Sequence, residues 1–144
     1  MAAVARSVAS LRIIGDSVKV AELTQLMGRE PSLAYETGES FEVRGRVLTR
    51  KSGMWMIRVP ASEPESLDAQ IAELLGSVSA SVETWQRLSE RFRLNVFCGL
   101  FMEESNEGFS LEPATLSALA ARKITIDFDV YAPSTDTKGG ESEV

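Results

Sequence analysis

Ala9-Ser10-Leu11-Arg12-Ile13-Ile14-Gly15-Asp16-Ser17 runs into a segment of different periodicity, and that change sets the fold. Leu11 and Ile13 face one way and Ser10 and Arg12 the other, the period-two pattern of a half-buried strand. Gly15-Asp16-Ser17 supplies a turn and a short side chain able to accept from an exposed N–H of the following helical turn. Beyond it Val20, Leu23, Leu26 and Met27 recur at steps of three and four, and Gly28 stands where a left-handed cap needs no Cβ. A strand followed by a helix over residues 18–27 is therefore predicted.

Working outward, Arg29-Glu30-Pro31-Ser32 and Thr37-Gly38-Glu39 punctuate a linking loop long enough to carry ligand contacts. Phe41-Glu42-Val43-Arg44-Gly45-Arg46-Val47 alternates as a second half-exposed strand. After the turn Arg50-Lys51-Ser52-Gly53, Met54-Trp55-Met56-Ile57-Arg58-Val59 puts Trp55, Ile57 and Val59 on one face, and the two strands are expected to form a hairpin. Ser62-Glu63-Pro64-Glu65 has capping-box spacing, so a helical region is expected to begin there. Leu67, Ile71, Leu74, Val78, Val82, Trp85 and Leu88 form its stripe, with a break near residues 77–80. Residues 94–102 are apolar on both faces, which suits an interior strand. A short piece at Phe109–Leu111, a helix from Pro113 carrying Leu116, Leu119 and Ala120 inward, and an alternating strand from Ile124 to Tyr131 complete the pattern. Ile124, Ile126, Phe128 and Val130 are expected to face the core. The order βαββααββαβ reads as an α+β fold, a single mostly antiparallel sheet with helices on one face in a ferredoxin-like elaboration. Residues 1–133 are assigned to this one domain and residues 134–144 to a disordered acidic tail.

Ser10-Leu11-Arg12-Ile13-Ile14-Gly15-Asp16, Glu22-Leu23-Thr24-Gln25-Leu26-Met27-Gly28-Arg29-Glu30-Pro31, Gly53-Met54-Trp55 and Ile126-Asp127-Phe128-Asp129-Val130-Tyr131 together resemble the bacterial domain-of-unknown-function 4279 family, with Met27 in place of the usual Leu. The resemblance spans nearly the whole ordered chain. It implies a small bacterial α+β protein without an assigned activity, and it brings no catalytic residues with it.

The 144 residues are 44% hydrophobic and 25% charged, an ordinary globular balance, and no apolar run reaches the roughly 20 residues that cross a bilayer. Neither membrane insertion nor a secretory leader is expected. A net charge of −6 disfavours binding nucleic acid by broad phosphate neutralisation. The charge is unevenly spread: residues 1–60 hold nine basic and six acidic groups, residues 61–144 six and fifteen. Histidine is absent, which excludes Ser-His-Asp, Cys-His and HExxH chemistry. Cys98 is the only cysteine, so intramolecular disulfides are excluded and a cytoplasmic location is expected; in its apolar run the thiol reads as a small buried hydrophobe.

Two candidate sites remain. Arg44 and Arg46 share a predicted strand face, and Arg50, Lys51 and Arg58 belong to the same hairpin, so five cations would converge near Trp55 to hold a phosphate, a carboxylate or an acidic partner protein. Asp127 and Asp129 lie two residues apart on one strand face, roughly 7 Å, where they would share a divalent cation or divide acid and base roles, although a third ligand is missing. No cofactor motif occurs. The expected function is a non-catalytic binding or protein-interaction role, with inhibition of a basic toxic enzyme, as by small immunity proteins, as one version. The alternative is a small anionic-ligand sensor or metal-assisted enzyme using the Arg44/Arg46 face and Asp127/Asp129. An unpaired edge of the first or second strand would let two copies form a homodimer.

Overall fold

A computed structural model describes residues 2–134. All of the predicted tail except Ser134 lies outside the described residues. The central element is β2 (Arg6–Gly15), whose Ser7, Ala9, Leu11 and Ile13 are buried while the residues between them are half-exposed. It pairs antiparallel with β6 (Gly53–Arg58) on one side and with β7 (Arg93–Phe101) on the other. β3 (Leu33–Tyr35) adds antiparallel to β6, and β9 (Thr125–Tyr131) adds parallel to β7. The resulting five-stranded sheet runs β3-β6-β2-β7-β9. The α+β class and the mostly antiparallel sheet are as expected. Two short pairings lie outside it: β1 (Ala2–Ala3) with β8 (Glu107–Gly108), and β4 (Ser40–Val43) with β5 (Arg46–Thr49).

The register puts Leu11 and Ile13 level with Ile57 and Trp55 on one side and with Val96 and Leu94 on the other. All six are buried and face the same way. Four described helices pack against them: Leu23 and Met27 from α1 (Val20–Met27), Leu67, Ile71 and Leu74 from α2 (Leu67–Gly76), Trp85 and Leu88 from α3 (Val82–Leu88), and Leu119 from α4 (Pro113–Ala121), with Val4, Val18, Phe92 and Ile124 added from outside the helices and the main sheet. None of the described helices is long and apolar enough to cross a membrane. Gly28 caps α1 at φ 74°, its N–H donating to the Thr24 carbonyl. Gly53 must lack a side chain because a Cβ there would lie 2.7 Å from the Val18 Cβ.

Several local expectations are corrected. The predicted strand over 41–47 turns back on itself, because Arg44 (φ 52°) and Gly45 (φ 78°) form the two-residue loop of the β4–β5 hairpin. The predicted hairpin between 41–47 and 54–59 is therefore absent, and β6 pairs with β2 and β3. No side chain of Asp16 or Ser17 caps α1; the Glu36 carboxylate accepts the Val20 N–H at 2.8 Å from across the linking loop. The capping box at Ser62 does not form either, since Ser62 bridges Ser7 and α2 starts at Leu67. Leu119 is the buried residue of α4, while Leu116 is 48% exposed and Ala120 is exposed. Phe128 and Val130, expected inside, are 40% and 56% exposed, because β9 is a sheet edge and α4 anchors near its beginning through Leu119. β2 is central and paired on both sides, so it cannot join two copies.

One polar knot fastens α2 to the sheet. The Ser7 hydroxyl donates to Gln70 Oε1 at 2.6 Å and accepts the Ser66 N–H at 3.1 Å, while Gln70 Nε2 donates to the carbonyls of Ser7 and Pro60. Ser7 and Gln70 are both buried, so the bonds replace water that has been excluded. Gln70→Leu leaves the Ser7 hydroxyl without its acceptor and removes a donor from the Pro60 carbonyl and from the Ser7 carbonyl, the latter keeping its bond from the Ser62 N–H at 2.9 Å, and it should lower the free energy of urea unfolding by about 1–3 kcal/mol.

Candidate functional site

The β4–β5 hairpin stands beside the main sheet and directs one face along its ladder: Phe41 opposite Leu48, and Val43 opposite Arg46. Just past β5, the Arg50 backbone is tied to the linking loop, accepting the Gly38 N–H at 2.9 Å and donating to the Glu39 carbonyl at 2.8 Å. This fixes where its side chain starts. The guanidinium carbon lies 3.8 Å from the ring centroids of both Tyr35, on β3, and Phe41, on β4. Two aromatic rings thus cover the guanidinium, and its N–H groups, which point outward in its own plane, have no hydrogen bond or ion pair with any described residue. A cleft of about 630 Å³ opens here, lined by Tyr35, Phe41, Leu48, Thr49, Arg50 and Lys51. Its chemistry is that of a planar oxyanion receptor, which suits a carboxylate or a phosphate gripped by two parallel N–H bonds.

Of the five predicted cations, the structure brings Arg50 and Lys51 to this cleft. Arg44 sits in the hairpin turn and Arg46 begins the returning strand, so they do not share a strand face. Arg58 is at the opposite end of β6 from Gly53, roughly 16 Å along the strand, where it faces Ser10 and its backbone N–H donates to the Ser32 hydroxyl. Trp55 offers no surface: it is fully buried against the helices, its indole N–H donating to Thr24 Oγ1 at 3.1 Å. The flat apolar surface is provided by Tyr35 and Phe41. Their part was hidden in the sequence because it depends on β3, a strand of three residues with no periodicity to detect.

The aspartates lie on the sheet face away from the helices, with Thr125 and Tyr131. They have separate partners. Asp127 Oδ2 accepts from Asn95 Nδ2 at 2.6 Å, and Asn95 Oδ1 in turn accepts from Arg12 Nε at 3.1 Å. Asn95 is only 1% exposed, although it lies on the open face, because Arg12 arches over the sheet with its guanidinium 4.5 Å from the Phe97 ring. Partial burial pushes the Arg12 pKa down, and the nearby Arg93 adds to this, while Asp127 and Tyr35 oppose it. Asp129 Oδ2 accepts from the Tyr131 hydroxyl at 2.6 Å, a bond that holds the phenolic proton and pushes its pKa up. Tyr131 stacks on Phe101 at 4.6 Å, with the Arg6 guanidinium 4.7 Å from the Phe101 centroid. Among the described residues no group of three or more carboxylates or thiols is placed to hold a metal ion.

Cys98 lies on the helix-facing side of β7, level with Ala9 and Phe128, and is fully buried. Burial is the main reason its pKa is pushed up to about 12, with the charges of Asp127 and Glu65 acting in the same direction. The thiol is a packing group in this setting.

A family model described as Domain of unknown function (DUF4279) matches residues 5–133. The comparisons with curated proteins and with solved structures returned no match.

The buried thiol gives a pH dependence with a defined sign. The unfolded chain loses the Cys98 proton above its ordinary pKa of 9.0, whereas the folded chain keeps it until about 12. The folded state therefore holds more protons in that window, and stability falls as pH rises from 9 towards 12. Urea midpoints measured across alkaline pH should show this decline, and Cys98→Ala should flatten it after allowance for the stability lost to the cavity.

Proposed function

This chain belongs to the DUF4279 family, and because that membership carries no activity with it, we propose from its geometry that the protein is a non-catalytic binding module. It takes an acidic segment of a partner protein at the arginine–aromatic cleft. The single observation that supports this most is Arg50, a guanidinium held over two rings with no described residue hydrogen-bonded to its edges. Side-chain entropy is a large part of the cost of using an arginine in an interface, and stacking has already met it.

The surroundings suit a peptide better than a free ion. Val43, Val47 and Leu48 are exposed on the hairpin, Val47 to 72%, which is apolar area that a bare anion would leave wet. A carboxylate on Arg50 with an apolar side chain over Leu48 uses both features. A small anionic ligand held by Arg50 and Lys51 is the second reading, favoured by the cleft volume. A non-catalytic role is supported by the occupied state of each candidate group: Asp127 is bonded to Asn95, Asp129 to Tyr131, and the Cys98 thiol is protonated and shielded.

The test uses the capped peptide Glu-Leu-Glu-Leu-Glu and inorganic phosphate as probes, read by thermal shift. The peptide should raise the melting temperature of the wild type. Arg50→Lys keeps the charge but loses the planar fork and the stack, and should bind the peptide at least about tenfold more weakly. A response to phosphate as large as that to the peptide would favour the small-ligand reading. An equal response to the peptide from wild type and Arg50→Ala would remove Arg50 from the site.

A further inference from the structure

The two edges of the main sheet are built differently. At one side β3 is three residues long, with Pro31 just before it. Short strands and nearby prolines are devices by which sheet edges avoid strand addition. At the other side β9 runs for seven residues in unbroken register with β7, from Thr125 opposite Asn95 to Tyr131 opposite Phe101. It contains no proline, no lysine and no bulge. Its outer edge pairs with no described strand, and among the described residues its backbone bonds beyond the β7 ladder amount to Tyr131 O accepting from Met102 N–H. Phe128, Val130 and Tyr131 are all exposed large side chains on this strand. An edge of this length and regularity is a template for one more strand.

From this edge we infer that β9 is an acceptor for an extended segment of a basic partner protein, one alternating Lys or Arg with apolar residues. The alternation follows from the strand itself. Asp127 and Asp129 project from one face at successive same-face positions, and Phe128 and Val130 project from the other. An added strand with cations two residues apart places one beside each carboxylate, and its intervening apolar side chains cover Phe128 and Val130. A second copy of this chain fits less well. Antiparallel self-pairing centred on Asp127, Phe128 or Asp129 sets an aspartate of one copy directly against an aspartate of the other, an unfavourable arrangement in a sheet. The site is separate from the cleft at Arg50, which lies beyond the opposite edge of the sheet and takes the opposite charge.

The experiment is a titration of the folded full chain, isotopically labelled, with the capped peptide Lys-Val-Lys-Val-Lys-Val-Lys, followed by amide chemical shifts. The expected result is shifts concentrated at residues 125–131, with slowed amide exchange there and binding that weakens as salt is raised. The peptide with Glu at every Lys position should not bind at β9. Asp129→Lys, whose native partner is the exposed Tyr131, should keep the fold and bind the basic peptide at least about tenfold more weakly. Shifts scattered over the other acidic surfaces, or equal binding by Asp129→Lys, would overturn the proposal. So would concentration-dependent dimerisation through β9 in the absence of peptide. The Arg50→Lys variant should bind this peptide as the wild type does, so the two sites succeed or fail independently.

Discussion

The fold depends on covering one side of β2. Ala9, Leu11 and Ile13 point the same way from the middle of the sheet, and every helix contributes at least one side chain to the layer that hides them from water. Burial at about 25 cal/mol per Å² of apolar surface is the only large favourable term available to a chain with one cysteine and no disulfide. The cost is that the polar strand ends must be satisfied inside the layer. The Ser7–Gln70 knot meets this need where β2 passes beneath the start of α2.

Because the four described helices pack on one side, the other side of the sheet is free to be chemical. Its cations and rings occur as pairs: Arg12 on Phe97, Arg6 on Phe101, and beyond the sheet edge Arg50 on Tyr35 and Phe41. Each stack holds a long side chain flat and dry on one face. What distinguishes Arg50 is the state of its N–H groups. Arg12 spends Nε on Asn95 and Arg6 lies 3.8 Å from Glu63, whereas the Arg50 guanidinium meets no acceptor among the described residues.

The elements with strong periodicity were legible in the sequence, and those defined by pairing were not. The strand at 9–14, the helix ending at Gly28, the break between α2 and α3, and the interior position of β7 all follow from side-chain pattern and cap chemistry. The hairpin partner of residues 41–47 did not, because alternation carries through Arg44 and Gly45 while positive φ at both reverses the chain. The same limit governed the sites. Same-face positions on one strand, Asp127 and Asp129, were readable, whereas Asn95 and Arg12 join Asp127 only through the register of β7 with its two neighbours. Phe41 and Tyr35 close on Arg50 only once β3 has joined the sheet. Phe128 and Val130 looked internal because periodicity reports which residues share a face and says nothing of where the covering helix stops.

The middle strand of the sheet precedes both of its partners in the sequence, and this orders events during translation. β2 is complete by Gly15, yet its ladder with β7 pairs Ile14 with Arg93 and Arg6 with Phe101, partners that leave the exit tunnel many tens of residues later. In the interval the segments of α1, β3, β6, α2 and α3 are all translated, including Gln70 of α2, which bonds Ser7 of β2 in the folded chain. Leu11 and Ile13 therefore meet Val96 and Leu94, their buried neighbours on the second side, only once β7 has been translated, a contact of long sequence separation on which the middle of the core depends.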